Sequence, residues 1–268
     1  MPRFAANLTM MFTEHAFLDR FAAAAEAGFA AVECLFPYEH PPAAIAAQLA
    51  RHGLTLALFN LPPGDFAAGE RGLAALPDRL DELRAGVETA LAYADATGAR
   101  RLHLMAGLAR PDDPRARDAY RRAVTWTAGR LERAGLDLLI EPINPRDMPG
   151  YFLNDVDAAA ALIRDLALPN LRLQFDIYHC QILHGDVTTR LAALMPLIGH
   201  VQTASVPGRH EPGRGEVDDG FVFAALDRLG YDGHVGCEYR PEAGTREGLG
   251  WFAPWRARQG APGAALSS

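Results

Sequence analysis

The sequence contains no lysine, and all 26 of its basic residues are arginine. That absence excludes mechanisms built on a Schiff-base lysine, such as lysine-type aldolases and pyridoxal phosphate enzymes. Cysteine is scarce. Cys34, Cys180 and Cys237 lie far apart and form no CxxC pair, so no disulfide framework is expected and a reducing compartment is. Met1 to Met10 has no apolar signal core, and no run approaches the roughly 20 apolar residues of a membrane helix. A cytoplasmic protein with no membrane partner is therefore expected. A basic surplus is also missing. The net charge of -7 argues against a nucleic-acid partner. No GxGxxG follows a strand, so an open dinucleotide-binding sheet lacks its signature.

What is present is a regular alternation. Short apolar runs read as strands at Arg3–Thr9, Phe29–Leu35, Leu54–Phe59, Arg101–Met105, Asp137–Glu141, Leu171–Asp176, Gly199–Thr203 and Gly233–Glu238. Helical stretches separate them, several closed by a glycine such as Gly28, Gly53, Gly98 or Gly135. A last helix is expected over Trp251–Ala257. Eight such units predict a parallel sheet closed into an α/β, single-domain TIM (β/α)8 barrel, which needs about 250 residues. No linker or low-complexity segment interrupts it, so one domain is expected over 1–258, with a flexible tail at 259–268.

Four consecutive strands end on a polar side chain: Glu141, Asp176, Gln202 and Glu238. In a barrel these tips meet at one mouth. Three carboxylates brought together repel, and a divalent cation relieves that repulsion. Four oxygen donors and no thiolate favour a hard ion, Mg²⁺ or Mn²⁺, so Glu141, Asp176, Gln202 and Glu238 are the expected metal ligands. The plain alternative is polar residues that merely cap buried strands. The stretch Leu61–Gly72 is long for a connection between strand and helix, which predicts a lid or binding loop.

Ile140-Glu141-Pro142-Ile143-Asn144, Phe175-Asp176-Ile177-Tyr178-His179, His200-Val201-Gln202 and Gly236-Cys237-Glu238-Tyr239 resemble the xylose-isomerase-like TIM barrels. The branch most similar is that of the hydroxypyruvate isomerases, whose pattern Gly69-Glu70-Arg71-Gly72 and His103-Leu104-Met105-Ala106-Gly107 also resemble. The resemblance implies a metal-assisted isomerase that interconverts hydroxypyruvate and tartronate semialdehyde through an enediolate. It makes Glu141 and Glu238 the acid/base pair and His179 a ligand for a substrate oxygen. A histidine bonded to a loop carbonyl is the plain alternative for His179. Arg209 resembles a substrate-binding arginine, and Arg71 and Arg146 on other mouth loops compete to hold the carboxylate of a hydroxy-oxo acid. His103 reads as a satisfied barrel residue, Glu33 as a pocket or loop residue, and Cys180 and Cys237 as bystanders. A 2-oxotetronate isomerase and a ketose 3-epimerase share the pattern. An abasic-site nuclease or a non-catalytic binding barrel fits it less well. Barrels of this group are often dimers or tetramers, so a homo-oligomer is within expectation.

Overall fold

In the computed structural model, which describes residues 2–256, eight parallel strands close into a barrel in the order of the chain. The strands are β1 (Arg3–Asn7), β2 (Ala31–Cys34), β3 (Thr55–Asn60), β4 (Arg101–His103), β5 (Asp137–Ile140), β6 (Leu171–Asp176), β7 (Ile198–Thr203) and β8 (His234–Cys237). All eight expected strands are present: β6 has its expected bounds, β3 and β7 each run one residue further at one end, and the others are trimmed at one or both ends. β1 pairs with both β2 and β8, which completes the ring. The expected tail at 259–268 lies outside the described residues, as does Ala257 of the expected last helix.

The helices are α1 (Arg20–Ala27), α2 (Pro42–His52), α3 (Leu80–Thr97), α4 (Pro114–Glu132), α5 (Val156–Leu166), α6 (Ile177–Leu183), α7 (Val187–Leu194), α8 (Asp219–Arg228) and α9 (Ala253–Arg256). α5 shows why they form. Asp155 caps it by accepting from the Ala158 N–H at 2.7 Å. Val156, Ala159, Ala160 and Ile163, spaced at helical intervals, turn one face onto the barrel and are buried. α6 was not expected from the sequence. It begins at once after β6 because Asp176 serves as its N-cap, accepting from the Tyr178 N–H at 2.8 Å. The final segment, a 3₁₀ turn at Glu247–Phe252 followed by α9, packs aromatic rings on the barrel. Phe4 of β1 meets Phe223 and Trp251 edge-on with centroids 5.0 Å apart, and Phe252 stacks on Phe29. These contacts fasten the last turns to the strand where the ring closes.

Most of the core lies between strands and helices. A second, small cluster is formed by Ala5, Ala31 and Ala57. Asn7, Glu33, His103, Gln174, Asp176 and Gln202 are buried polar residues at the C-terminal halves of their strands. A barrel that places polar side chains at this end has its site there.

Candidate functional site

Glu141, Asp176 and Glu238 are all buried. β5, β6 and β8 deliver them, Glu141 and Glu238 as the residue just beyond the strand and Asp176 as its last. Pro142 follows Glu141 and ends the ladder there. With His179 on α6, each offers one ligand-type atom, and these four atoms all lie within 4.8 Å of one another. The cluster borders a cavity of about 640 Å³, a usual size for a small-molecule site. Glu141, His179, Arg209, Glu238, Arg71 and His103 are on its wall.

The carboxylates carry the electrostatic signature of such crowding. Burial raises Glu141 well above the usual carboxylate range, and Glu238 and Asp176 push it further, against Arg209. Burial likewise lifts Glu238 to about 8, with Arg209 opposing and Asp176 and Glu33 adding. Asp176 rises to about 6 from burial, again against Arg209. Glu141 Oε1 and Asp176 Oδ2 have no hydrogen-bond partner among the described residues. Two buried, unpartnered carboxylate oxygens in a cluster of like charge are the donor set a hard divalent cation fits.

His179 is a donor in this cluster. Asn144 fixes it. The Asn144 Oδ1 accepts from the N–H groups of Arg146 and Asp147, both at 2.9 Å, so its Nδ2 must be the atom that meets His179 Nδ1 at 2.6 Å. Nδ1 therefore accepts. Burial, Arg209 and His103 hold the ring well below its ordinary pKa, so it is neutral and carries its proton on Nε2. That N–H faces Asp176 Oδ2 at 3.5 Å and Glu141 Oε1 at 3.9 Å. A protonated Nε2 suits a substrate oxygen better than a metal.

Arg209, in the loop after β7, has its guanidinium committed to acids. It bonds Glu238 at 2.6 Å and Asp147 at 2.8 Å, lies 3.7 Å from Asp176, and stacks on Tyr178. Burial opposes its charge, yet Glu238, Asp176, Asp147 and Glu141 together raise its pKa. Arg71 differs. Its guanidinium lies 4.0 Å over the Phe66 ring, and its Nη1 donates to the carbonyls of Phe66 and Glu70. No carboxylate pairs with it among the described residues, because the Glu70 carboxylate is bound by Arg79 at 2.6 Å. Arg240 is a third arginine on the cavity wall.

The structure thus gathers Glu141, Asp176, Glu238, His179 and Arg209 into one cluster and places Arg71 across the same cavity. Gln202 pairs across the sheet with Asp176, and its amide bonds Glu33 and Gln174. His103 is not the satisfied barrel residue its place in the strand suggested. Neither ring nitrogen has a hydrogen-bond partner among the described residues, and Nδ1 lies 3.7 Å from Glu141 Oε2. Burial and His200 lower it to about 3, so it stays neutral. Sequence reasoning also missed Asp147, Gln174 and Arg240. Arg240 follows the Glu238 tip by two residues, which was a usable signal. Gln174 had none beyond being polar within an apolar strand.

Residues 21–255 match the family model described as xylose isomerase-like TIM barrel. The chain belongs to that family. It is similar to a 2-oxo-tetronate isomerase of Cupriavidus necator, 55% identical over 96% of this chain and 100% of that one. It is also similar to the hydroxypyruvate isomerase of Escherichia coli, 41% identical over 96% and 100% of the two chains. Among solved structures, a Brucella melitensis protein described as an AP endonuclease, family 2, superposes with a TM-score of 0.93 at 47% identity, covering 96% of this chain and 100% of that one. By this kinship the chain is an isomerase. No helix among the described residues is long and apolar enough to cross a membrane. Cys34, Cys180 and Cys237 are buried and unpaired with one another.

Proposed function

We propose that the protein is a divalent-cation-dependent isomerase of short hydroxy-2-oxo acids, with 2-oxotetronate as its substrate and hydroxypyruvate as the three-carbon alternative. The observation that carries the reading is the convergence of Glu141, Asp176, Glu238 and the Nε2–H of His179 on one mouth. The similarity to the Cupriavidus necator enzyme favours the four-carbon acid, and that to the Escherichia coli enzyme keeps hydroxypyruvate in view.

Both acids carry a carbonyl at C2 beside a hydroxyl at C3. Isomerisation removes the C3 proton, passes through an enediolate, and returns a proton to C2, so the carbonyl moves to C3. Mg²⁺ or Mn²⁺ would be held by Glu141, Asp176 and Glu238, with the second lone pair of Gln202 Oε1, which already accepts from Gln174, as a neutral donor, and would stabilise the negative charge of the enediolate. Glu141 and Glu238 serve as the base and acid for carbon. Without the cation, burial and neighbouring acids raise both glutamates above the usual carboxylate range, the direction a carbon acid/base pair needs. His179 donates from Nε2 to a substrate oxygen and steadies its negative charge in the enediolate. Arg71 takes the carboxylate, because no acid pairs with its guanidinium among the described residues, whereas Arg209 is spent on Glu238 and Asp147.

The test offers 2-oxotetronate, hydroxypyruvate, a ketohexose and duplex DNA with an abasic site to stripped enzyme, with and without Mn²⁺. Cation-dependent product from 2-oxotetronate, less from hydroxypyruvate and none from the other two is expected. Cleavage of the DNA without turnover of either acid would overturn the reading in favour of the nuclease class.

A further inference from the structure

Beneath the carboxylate cluster runs a chain of amides whose direction is fixed from one end. The backbone N–H of Thr9 donates to Asn7 Oδ1 at 3.0 Å. The other end of that amide must therefore be the nitrogen, and it donates to Glu33 Oε1 at 3.0 Å. Glu33 Oε1 is an acceptor, so the Gln202 atom that meets it at 2.8 Å is Nε2. Gln202 then turns Oε1 the other way, where it accepts from Gln174 Nε2 at 2.6 Å. Gln174 lies two residues before Asp176 on β6, and Gln202 pairs with Asp176 across β6 and β7. The polarity of four side chains thus follows from a single backbone N–H.

The sheet is built to hold this chain. Its ladders shift register twice among the described residues, once between Val32 and Glu33 and once between Leu173 and Gln174. Such shifts re-aim the side chain that follows. They fall on the two residues that grip Gln202. Glycine at position 236 leaves the necessary room, since a Cβ there would stand 2.2 Å from Glu33 Oε2. His200 Nε2 closes the far side of Glu33 at 2.7 Å. Glu33, Gln174, His200 and Gln202 are all buried, so water does not compete for these bonds.

We infer that Glu33 is a positioning residue for the isomerisation, holding the Gln202 nitrogen so that the amide oxygen, the neutral donor named above, stays turned away from Glu33. The inference rests on the function proposed above for the role of Gln202. An acceptor-only group at position 33 prevents either glutamine from flipping. With an amide at 33, Gln202 can reverse, its NH₂ takes the place of its oxygen, and Gln174 must turn its own oxygen to accept from it. A carboxylate that served only to fill the barrel would not transmit a change to residue 174.

The test needs both a structural and a kinetic reading. In metal-stripped enzyme labelled with ¹⁵N in glutamine side chains, Gln174 and Gln202 should give dispersed, slowly exchanging NH₂ signals. Glu33→Gln should move those of Gln174 as well as those of Gln202. In the Mn²⁺ enzyme, Glu33→Gln and Gln174→Met should each lower kcat about tenfold or more, as outer-shell losses do, with KM within about threefold. The double variant should be no worse than Gln174→Met alone. Unmoved Gln174 signals, or kcat losses that multiply, would overturn the inference. If Glu33→Gln does not fold, unchanged kcat in Gln174→Met overturns it by itself. If the wild type turns over no oxo acid, the proposed function fails, and the amide signals still decide whether the chain exists.

Discussion

The side-chain amide of Asn144 has both ends committed, and this makes His179 a donor. Two backbone N–H groups hold its oxygen, so its nitrogen must feed His179 Nδ1. Asn144→Ala should release the ring to either tautomer and lower kcat about 10- to 100-fold. ¹⁵N-histidine NMR should show an unprotonated Nδ1 at residue 179 in the wild type and a mixture in the variant. Arg71 carries a second prediction. Loss of a charge-assisted bond to the substrate carboxylate costs about 1.5–3 kcal/mol, so Arg71→Met should reduce kcat/KM about 10- to 100-fold, mostly through KM. Arg71→Lys should recover only part of this, because an ammonium cannot offer the planar fork. Unchanged KM in Arg71→Met would move the carboxylate elsewhere, with Arg240 next to be tested.

At the scale of elements, the strand tips were legible because each ends an apolar run on a polar residue, and Glu141 precedes a proline. The alternation of strand and helix likewise disclosed the barrel. α6 was not legible. Asp176 was read as a strand tip, and its second task as the N-cap of the next helix gave no separate signal. The partnership of Glu33 with His200 and Gln202 joins β2 to β7 across the barrel interior, and no local pattern records it. Arg209 was expected to bind substrate, yet its acidic partners come from two other loops, which only the closed ring brings near. The loop 61–72 illustrates how elements fix a site residue. Gly72 has φ of 110°, and a Cβ there would stand 2.3 Å from the Met105 carbonyl oxygen. Close contact between this loop and the end of β4 therefore sets the position of the adjacent Arg71. Gly72→Ala should lower stability by about 1–3 kcal/mol in a denaturant titration and raise KM, since Arg71 is displaced with the loop.

At the scale of the whole molecule, the acid cluster ties stability to pH and to the cation. Glu141, Asp176 and Glu238 have native pKa values above their unfolded ones, so the native state binds more protons. Their contribution is complete below the unfolded carboxylate range, about pH 4, and is lost as pH rises through about 6 for Asp176 and about 8 for Glu238. Buried His103, His179 and His234 have lowered values and act in the opposite sense, but only below about pH 6.5. Between about pH 7 and 8 the carboxylates dominate, so the melting temperature of chelated protein should fall across that window. Glu238→Gln should flatten the fall. Mn²⁺ should bind more tightly as pH rises, with proton release visible by calorimetry in two buffers of different ionisation enthalpy.

The most direct test of the central claim is exchange of substrate carbon-bound protons with D₂O, followed by NMR with 2-oxotetronate. The account predicts that Mn²⁺-loaded enzyme incorporates deuterium at C2 of the product. Glu141→Gln and Glu238→Gln, each folded, should lower turnover by about 10²–10⁴-fold. Near-normal turnover in either variant, or product formed without solvent deuterium in the face of free exchange at the site, would contradict a proton shuttle run by these two glutamates.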